Sequence, residues 1–317
     1  MVTLPDRADG ISRAFALAEA QSIPSRLIGG LFYGVQEDIL EPALLVRGLN
    51  ALLKYPENEK QAALEAALNL ADTWFAAKIK AKHPIPSRED GVFWAPIIEL
   101  IERFDSSKMM ERYFWANICK HLIEVAPRLV VRKSCDALAE DLYTGRHGES
   151  ILREYAKVDP VMVMDEVGSA MINPATAVKL SVRGIGGLLF ALPLETIFQW
   201  IDKDPKTRSI LCASSLPRPY LEGEKAVVPE ITERFLDKYG SDESVARKFI
   251  VGSGIRSYSG DIAGAHRKEA EVARQFRSHR IAAIRNWAEV EEQRANYSAD
   301  RWQQITEEEM VIDADDV

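Results

Sequence analysis

The sequence predicts an all-α fold, an α-solenoid of antiparallel helix pairs. Three observations carry that expectation. Apolar residues recur at helical spacing along most of the 317-residue chain, the period that lines one face of a helix. Capping residues stand directly before prolines at Asp159-Pro160, Asn173-Pro174 and Asp204-Pro205, a pairing that starts helices, because the missing N–H has no intrahelical partner there. A Val-Arg or Ile-Arg step then returns at long, similar intervals, as stacked units of one size require.

Each element follows in order. A first helix ends near Gln21. In 58–82, Leu64, Leu68, Ala71, Phe75 and Ile79 share a face. Glu57 and Glu59 stand at its start, and Lys78, Lys80 and Lys82 at its end, where each charge suits the helix dipole. In 106–125, Met110, Phe114, Ile118, Leu122 and Val125 form a second stripe, with Ser106 or Ser107 as cap. The β-branched run 128–135 continues into "DALAEDL" at helical spacing, so it too reads as helix. In 229–240, Ile231 and Phe235 face together and Gly240 can close the helix. The stretch "SSLPRPYLEGE" (214–224) reads as a proline-bearing loop that presents Arg218 and Tyr220. The glycine- and serine-rich stretch 249–266 reads as a connector. It lacks the last glycine of a dinucleotide fingerprint and follows a helical lead-in, but its N–H groups together with Arg256 suit an anion. The total is about fourteen to sixteen helices joined by short connections.

The Val/Ile-Arg step occurs in "PALLVRGLNALL" (42–53), "PRLVVRKSCDAL" (127–138) and "RIAAIRNWAEV" (280–290), with a looser copy in 204–216. The arginines are Arg47, Arg132, Arg208 and Arg285, separated by 85, 76 and 77 residues. Half of that separation is a unit of about 40 residues, within the range of helix-pair repeats. On these residues the chain resembles the HEAT-repeat family with degenerate repeats, which implies stacked helix pairs and a long curved binding surface. The alternative is a compact, non-repetitive helical domain. The end of the chain, 239–293, resembles the C-terminal helical regions of large bacterial proteins, some linked to phage defence. Gly240, Gly252, Ser253, Gly260, Arg285, Trp287 and Ala288 carry that match, and it implies an interaction or sensing module in a defence assembly.

Charge divides the C-terminal part. Residues 247–285 hold nine Lys/Arg against three Asp/Glu, whereas 289–317 hold ten acidic and two basic side chains. The reading is therefore one helical repeat domain over 1–302 and an acidic, disordered tail over 303–317. The candidate contacts for a partner or an anion are Arg218, Tyr220, Arg256, Tyr258, Arg267, Lys268, Arg274 and Arg277. Such a basic cluster can neutralise phosphates, or it can be a solvated face paired with local glutamates.

Catalytic and metal motifs are missing from the sequence. There is no Walker A loop and no G-x-S-x-G, and the five histidines never fall at zinc spacing. Cys119, Cys135 and Cys212 lie far apart and number three, so a disulfide framework is not expected, and a reducing cytoplasm fits. Adjacent carboxylates such as Glu291/Glu292 splay apart on a helix and read as solvated faces. Of six tryptophans, Trp94 and Trp302 are expected to be the most exposed. The expectation is a non-catalytic scaffold or sensing module with no cofactor and no metal. It binds a macromolecular partner, a protein first, in the cytoplasm and not in a membrane. Two alternatives stay open: a nucleic-acid-binding protein using 256–285, and an enzyme whose site is assembled from distant residues.

Overall fold

The computed structural model describes residues 4–29, 31, 41–105, 113–140, 142–173, 176, 186–189, 191–251 and 260–315. Those residues are predominantly helical. Eight helices come first: α1 Leu4–Glu19, α2 Pro42–Leu52, α3 Lys60–Lys80, α4 Gly91–Arg103, α5 Tyr113–Leu122, α6 Pro127–Glu140, α7 Leu142–Tyr155 and α8 Pro160–Ile172. Six follow: α9 Leu194–Asp202, α10 Pro205–Ala213, α11 Glu230–Tyr239, α12 Glu243–Val251, α13 Ile262–Arg274 and α14 Ala282–Asp315. Ser25–Leu27 is a 3-10 turn and Gly186–Leu189 a single helical turn.

Helix starts behave as the capping chemistry requires. The Asp159 carboxylate accepts from Met162 N–H at 2.9 Å, and Asp204 accepts from Thr207 N–H at 3.4 Å, each just ahead of its proline. Asp90 caps α4 and Asp261 caps α13 in the same way, at 3.0 and 2.8 Å. Each contact satisfies one of the amides that the first helical turn leaves open. The third expected start, at Asn173-Pro174, runs into residues outside those described, as does the predicted cap at Ser106 or Ser107.

The chain divides into two compact units, residues 1–167 and 168–317. In the first, α2 packs on both α3 and α4, α4 on α6, α3 on α5, and α5 on α7. These contacts each join a helix to its neighbour in sequence or to the helix one further on. The interior is largely apolar, with Phe15, Leu45, Leu49, Trp74, Phe75 and Ile97 at or near zero exposure. Trp94 is buried as well, contrary to its loop-like sequence context, because its indole N–H donates to Ser87 O at 2.9 Å and its rings pack on Phe75 and Phe93.

The second unit repeats the pattern. α10 packs on α9 and α12, α12 on α14, and α13 lies along α14. Phe249, Phe276 and Trp287 meet in its core. Two departures from the sequence reading occur here. The proline-bearing loop contains a small antiparallel hairpin, β1 Tyr220–Glu222 with β2 Lys225–Val227, in which Tyr220 opposes Val227. Its two-residue turn places Gly223 at φ +65°, which a first-position glycine allows at no steric cost. The acidic end, expected to be disordered from 303, continues α14 as helix through Asp315.

Candidate functional site: the charged seam of α13 and α14

The basic segment that the sequence singles out builds one arm of a helical hairpin. Ala270 and Ala273 of α13, with Ala283, Ala288, Ala295 and Ala299 of α14, are all buried. Small side chains on both partners let the two helices approach closely. Long charged side chains then close over the edges of this alanine seam.

Arg274 Nε donates to Glu292 Oε1 at 3.0 Å, and Arg277 Nε stands 2.6 Å from Glu292 Oε2. Two half-exposed guanidinium groups thus hold one carboxylate that is only 5% exposed. Around the other edge, Arg294 donates to Glu291 at 2.8 Å and to Glu269 at 3.2 Å. His266 Nδ1 lies 3.1 Å from the same Glu269 oxygen. A carboxylate only accepts, so this nitrogen carries the proton. The reading of Glu291/Glu292 as solvated faces is therefore corrected. The pair does splay, but Glu292 turns to Arg274 and Arg277, and Glu291 to Arg294.

Two of the remaining cations are also engaged. Arg267 donates to Gln303. Arg280 donates to Asp237 at 2.7 Å and to Glu233 at 3.1 Å. Lys268 is exposed. His279 Nδ1 accepts from Ile281 N–H at 3.2 Å, ahead of the first turn of α14. Burial, with the nearby Arg280 and Arg285 charges, holds the pKa of His279 below the usual histidine value. The Arg218 guanidinium lies 4.2 Å over the Phe249 ring. Tyr220 is 47% exposed on β1. With Leu221 it borders a cleft of about 190 Å³ against Glu269, Val272, Trp287 and Glu291. Of the predicted contacts, Arg274 and Arg277 meet at one carboxylate. Arg218 and Tyr220 stay on the hairpin side, and Arg256 and Tyr258 lie outside the described residues.

The four periodic arginines have a structural use. Arg47 of α2 donates to both Glu19 oxygens at 2.7 and 2.8 Å and to Ser12 Oγ at 2.9 Å, tying down the end of α1. Arg208 of α10 donates to Trp200 O in the last turn of α9 at 2.8 Å and stacks on the Trp200 ring at 4.5 Å. Arg285 of α14 donates to the carbonyls of His279 and Arg280 at 2.6 and 2.9 Å. Two of the four thus bind a carboxylate or a carbonyl in the last turn of the preceding helix, and Arg285 instead closes the loop ahead of its own helix. Arg132 is exposed.

All three thiols are buried and reduced. Burial pushes Cys212 up to about 12 and raises Cys119 and Cys135 further. The thiolate, the reactive form, is thereby suppressed. Among the described residues, no group of three His, Cys, Asp or Glu side chains converges as a metal site, and no helix is long and apolar enough to cross a membrane.

Sequence reasoning missed a larger concavity in the first unit. An open groove of about 750 Å³ runs over the outer face of α2. Ala43, Val46, Arg47 and Asn50 share that face, and Lys54 stands just past the helix end. The end of α1 at Glu19 and the start of α4 at Asp90 and Val92 form its walls. The signal lay in the apolar spacing of 43–50, which reads as core until the flanking helices are placed.

Comparison with protein-family models, curated proteins and solved structures finds no match to this chain.

Proposed function

We propose that this chain is a non-catalytic, HEAT-like helical-repeat module that binds a protein partner as a scaffold or sensing element. The observation that supports it most is the packing order. In both units the main helix contacts join sequence neighbours or helices one further on, as stacked antiparallel pairs would. Two of the arginines at the repeated step, Arg47 and Arg208, hold the last turn of the preceding helix. A module of this kind offers surface rather than reactive groups, and the pairing of Glu291 and Glu292 with arginines and the burial of the thiols agree with that. The likeness of 239–293 to bacterial defence proteins directs the search for a partner to such assemblies.

The test is cross-linking of the full chain in its native host, followed by mass spectrometry. A recurrent protein partner, cross-linked to the outer faces of successive helices, is the expected result. Turnover by the purified chain of a substrate found in the same extracts, abolished by one point substitution, would replace this reading with an enzymatic one. The nucleic-acid alternative is weakened by the pairing of Arg274, Arg277 and Arg280 with carboxylates. Each would have to trade a protein partner for a phosphate, so little of the steep salt dependence of phosphate neutralisation is expected. Tight binding of duplex or single-stranded DNA that falls steeply with salt would restore that alternative.

A further inference from the structure

We propose that the groove over α2 receives an amphipathic helix of a partner protein, with a cationic residue at the end that lies against Glu41 and Asp90. This inference rests on the module reading above and names its docking surface.

The shape comes first. α2 is packed on both flanks, by α1 on one side and α4 on the other. Its outer face is therefore a floor between two ridges. Ala43, Val46 and Asn50 fall at i, i+3 and i+7 along that floor, spanning with Lys54 about three turns, or ~16 Å at 1.5 Å per residue. A helix of similar length fits such a trough and reads it through its own i, i+3, i+4, i+7 side chains. The floor and wall are apolar where a ligand would rest: Pro42, Ala43, Val46 and the side chain of Val92, which is 77% exposed. Val92 thereby adds apolar surface beside that floor for a ligand to cover.

Charge sets the occupant's polarity. At one end of the groove, Glu19 is bound by Arg47, and its carboxyl is held below the usual range by that bond and by the nearby Lys54. One carboxylate there faces two cations. At the other end, Glu41 and Asp90 stand at the starts of α2 and α4. Asp90 spends one oxygen on its own cap, and the pair presents two carboxylates. A ligand helix with Lys or Arg at the Glu41/Asp90 end and a carboxylate at the Lys54 end is complementary along its whole length. The opposite orientation or a reversed charge pattern places like charges together at both ends, which selects against wrong partners as well as for the right one.

The experiment uses the full chain as bait for a phage-displayed library of random 16-residue peptides. The expected result is enrichment of sequences with apolar residues at helical spacing and Lys or Arg clustered at one end. Synthetic copies should bind at least ten-fold more weakly to Val46→Asp and to Ala43→Trp. Ala43 is exposed, so the second variant blocks the groove without entering the core. Glu41→Lys should shift the selection away from cationic ends. No enrichment, peptides without the helical pattern or the cationic end, or peptides that bind both groove variants undiminished would each overturn the assignment. A cross-linked partner whose capture ignores Ala43→Trp would overturn the groove and leave the module reading standing.

Discussion

Replacing Gly168 by alanine tests a tightly packed point of the second unit. Gly168 lies inside α8, where alanine would normally stabilise the helix by roughly 0.5–1 kcal/mol. Here a Cβ would stand 2.2 to 2.4 Å from three atoms of the Trp200 indole. That is more than 1 Å inside the usual contact of about 3.5–4.0 Å. The indole has little room to yield. It is 3% exposed, its face is covered by the Arg208 guanidinium, and the same arginine holds the Trp200 carbonyl. Overpacking a close-packed site costs about 1–3 kcal/mol, and an obstacle fixed on several sides belongs toward the upper end. After the propensity gain is subtracted, Gly168→Ala is expected to destabilise by about 1–2 kcal/mol. The assay is thermal and urea unfolding followed by tryptophan fluorescence and far-UV circular dichroism. Two probes are needed because a two-unit chain need not unfold in one step. Gly10→Ala in α1 is the control. Nothing lies within 4 Å of its Cβ position, so it should gain the propensity term. If Gly168→Ala were as stable as wild type, or if both alanines shifted the midpoint alike, the close α8–α9 contact would be refuted.

The charged seam and the thiols give the remaining predictions. Arg274→Ala with Arg277→Ala leaves Glu292, 5% exposed, without either guanidinium. A loss of about 1–3 kcal/mol in urea unfolding is expected, the cost of stranding a buried charged group, and no change would refute the pairing. Asp202 is held below its ordinary pKa of 3.8 by the Lys238 ammonium and the Tyr239 hydroxyl. Its contribution is thus present above pH 3.8 and lost as pH falls through the lower folded value. Asp202→Asn should melt earlier than wild type at neutral pH, and the gap should close in acid and shrink in salt, since the cluster is at the surface. His279 has its pKa lowered from 6.5, with Nδ1 accepting the Ile281 amide. Below pH 6.5 the unfolded chain takes up that proton more readily, so stability falls with pH. His279→Gln keeps an acceptor and should flatten this part of the profile. The three buried thiols should resist a thiol reagent in the folded chain and react together after denaturation; rapid labelling of native Cys135 or Cys212 would contradict their burial.

What was legible in the sequence was whatever depends on neighbours along the chain. The Asp159 and Asp204 caps act three residues downstream of themselves. The stripe of α3 from Leu64 to Phe75 depends on a 3.6-residue period within one helix. The helical character of 127–140 followed from its spacing despite β-branched residues. The hairpin at 220–227 escaped notice because three residues per strand are too few to show an alternating pattern, and Gly223 alone marked the turn. The fate of Trp94 depended on Phe75, nineteen positions earlier. No local pattern encodes that.

The site was less legible for the same reason, and the arginines show why. A guanidinium that reads a ligand and one that holds a neighbouring helix need the same side chain at the same register. The difference lies in what the chain brings back to meet it. Glu292 returns to Arg274 after 18 residues, Glu19 precedes Arg47 by 28, and Glu233 lies 47 from Arg280. Local charge counting therefore finds a basic segment, while the folded hairpin finds most of those charges spent. The groove over α2 inverts this relation. Ala43 and Val46 lie off the core face of α2, which is Leu45, Leu49 and Leu52. A helix with apolar residues on its outer face as well, walled by α1 and α4, has more apolar surface than its own unit buries. That surplus is a reason to look for a partner on the first unit rather than on the basic arm of the second.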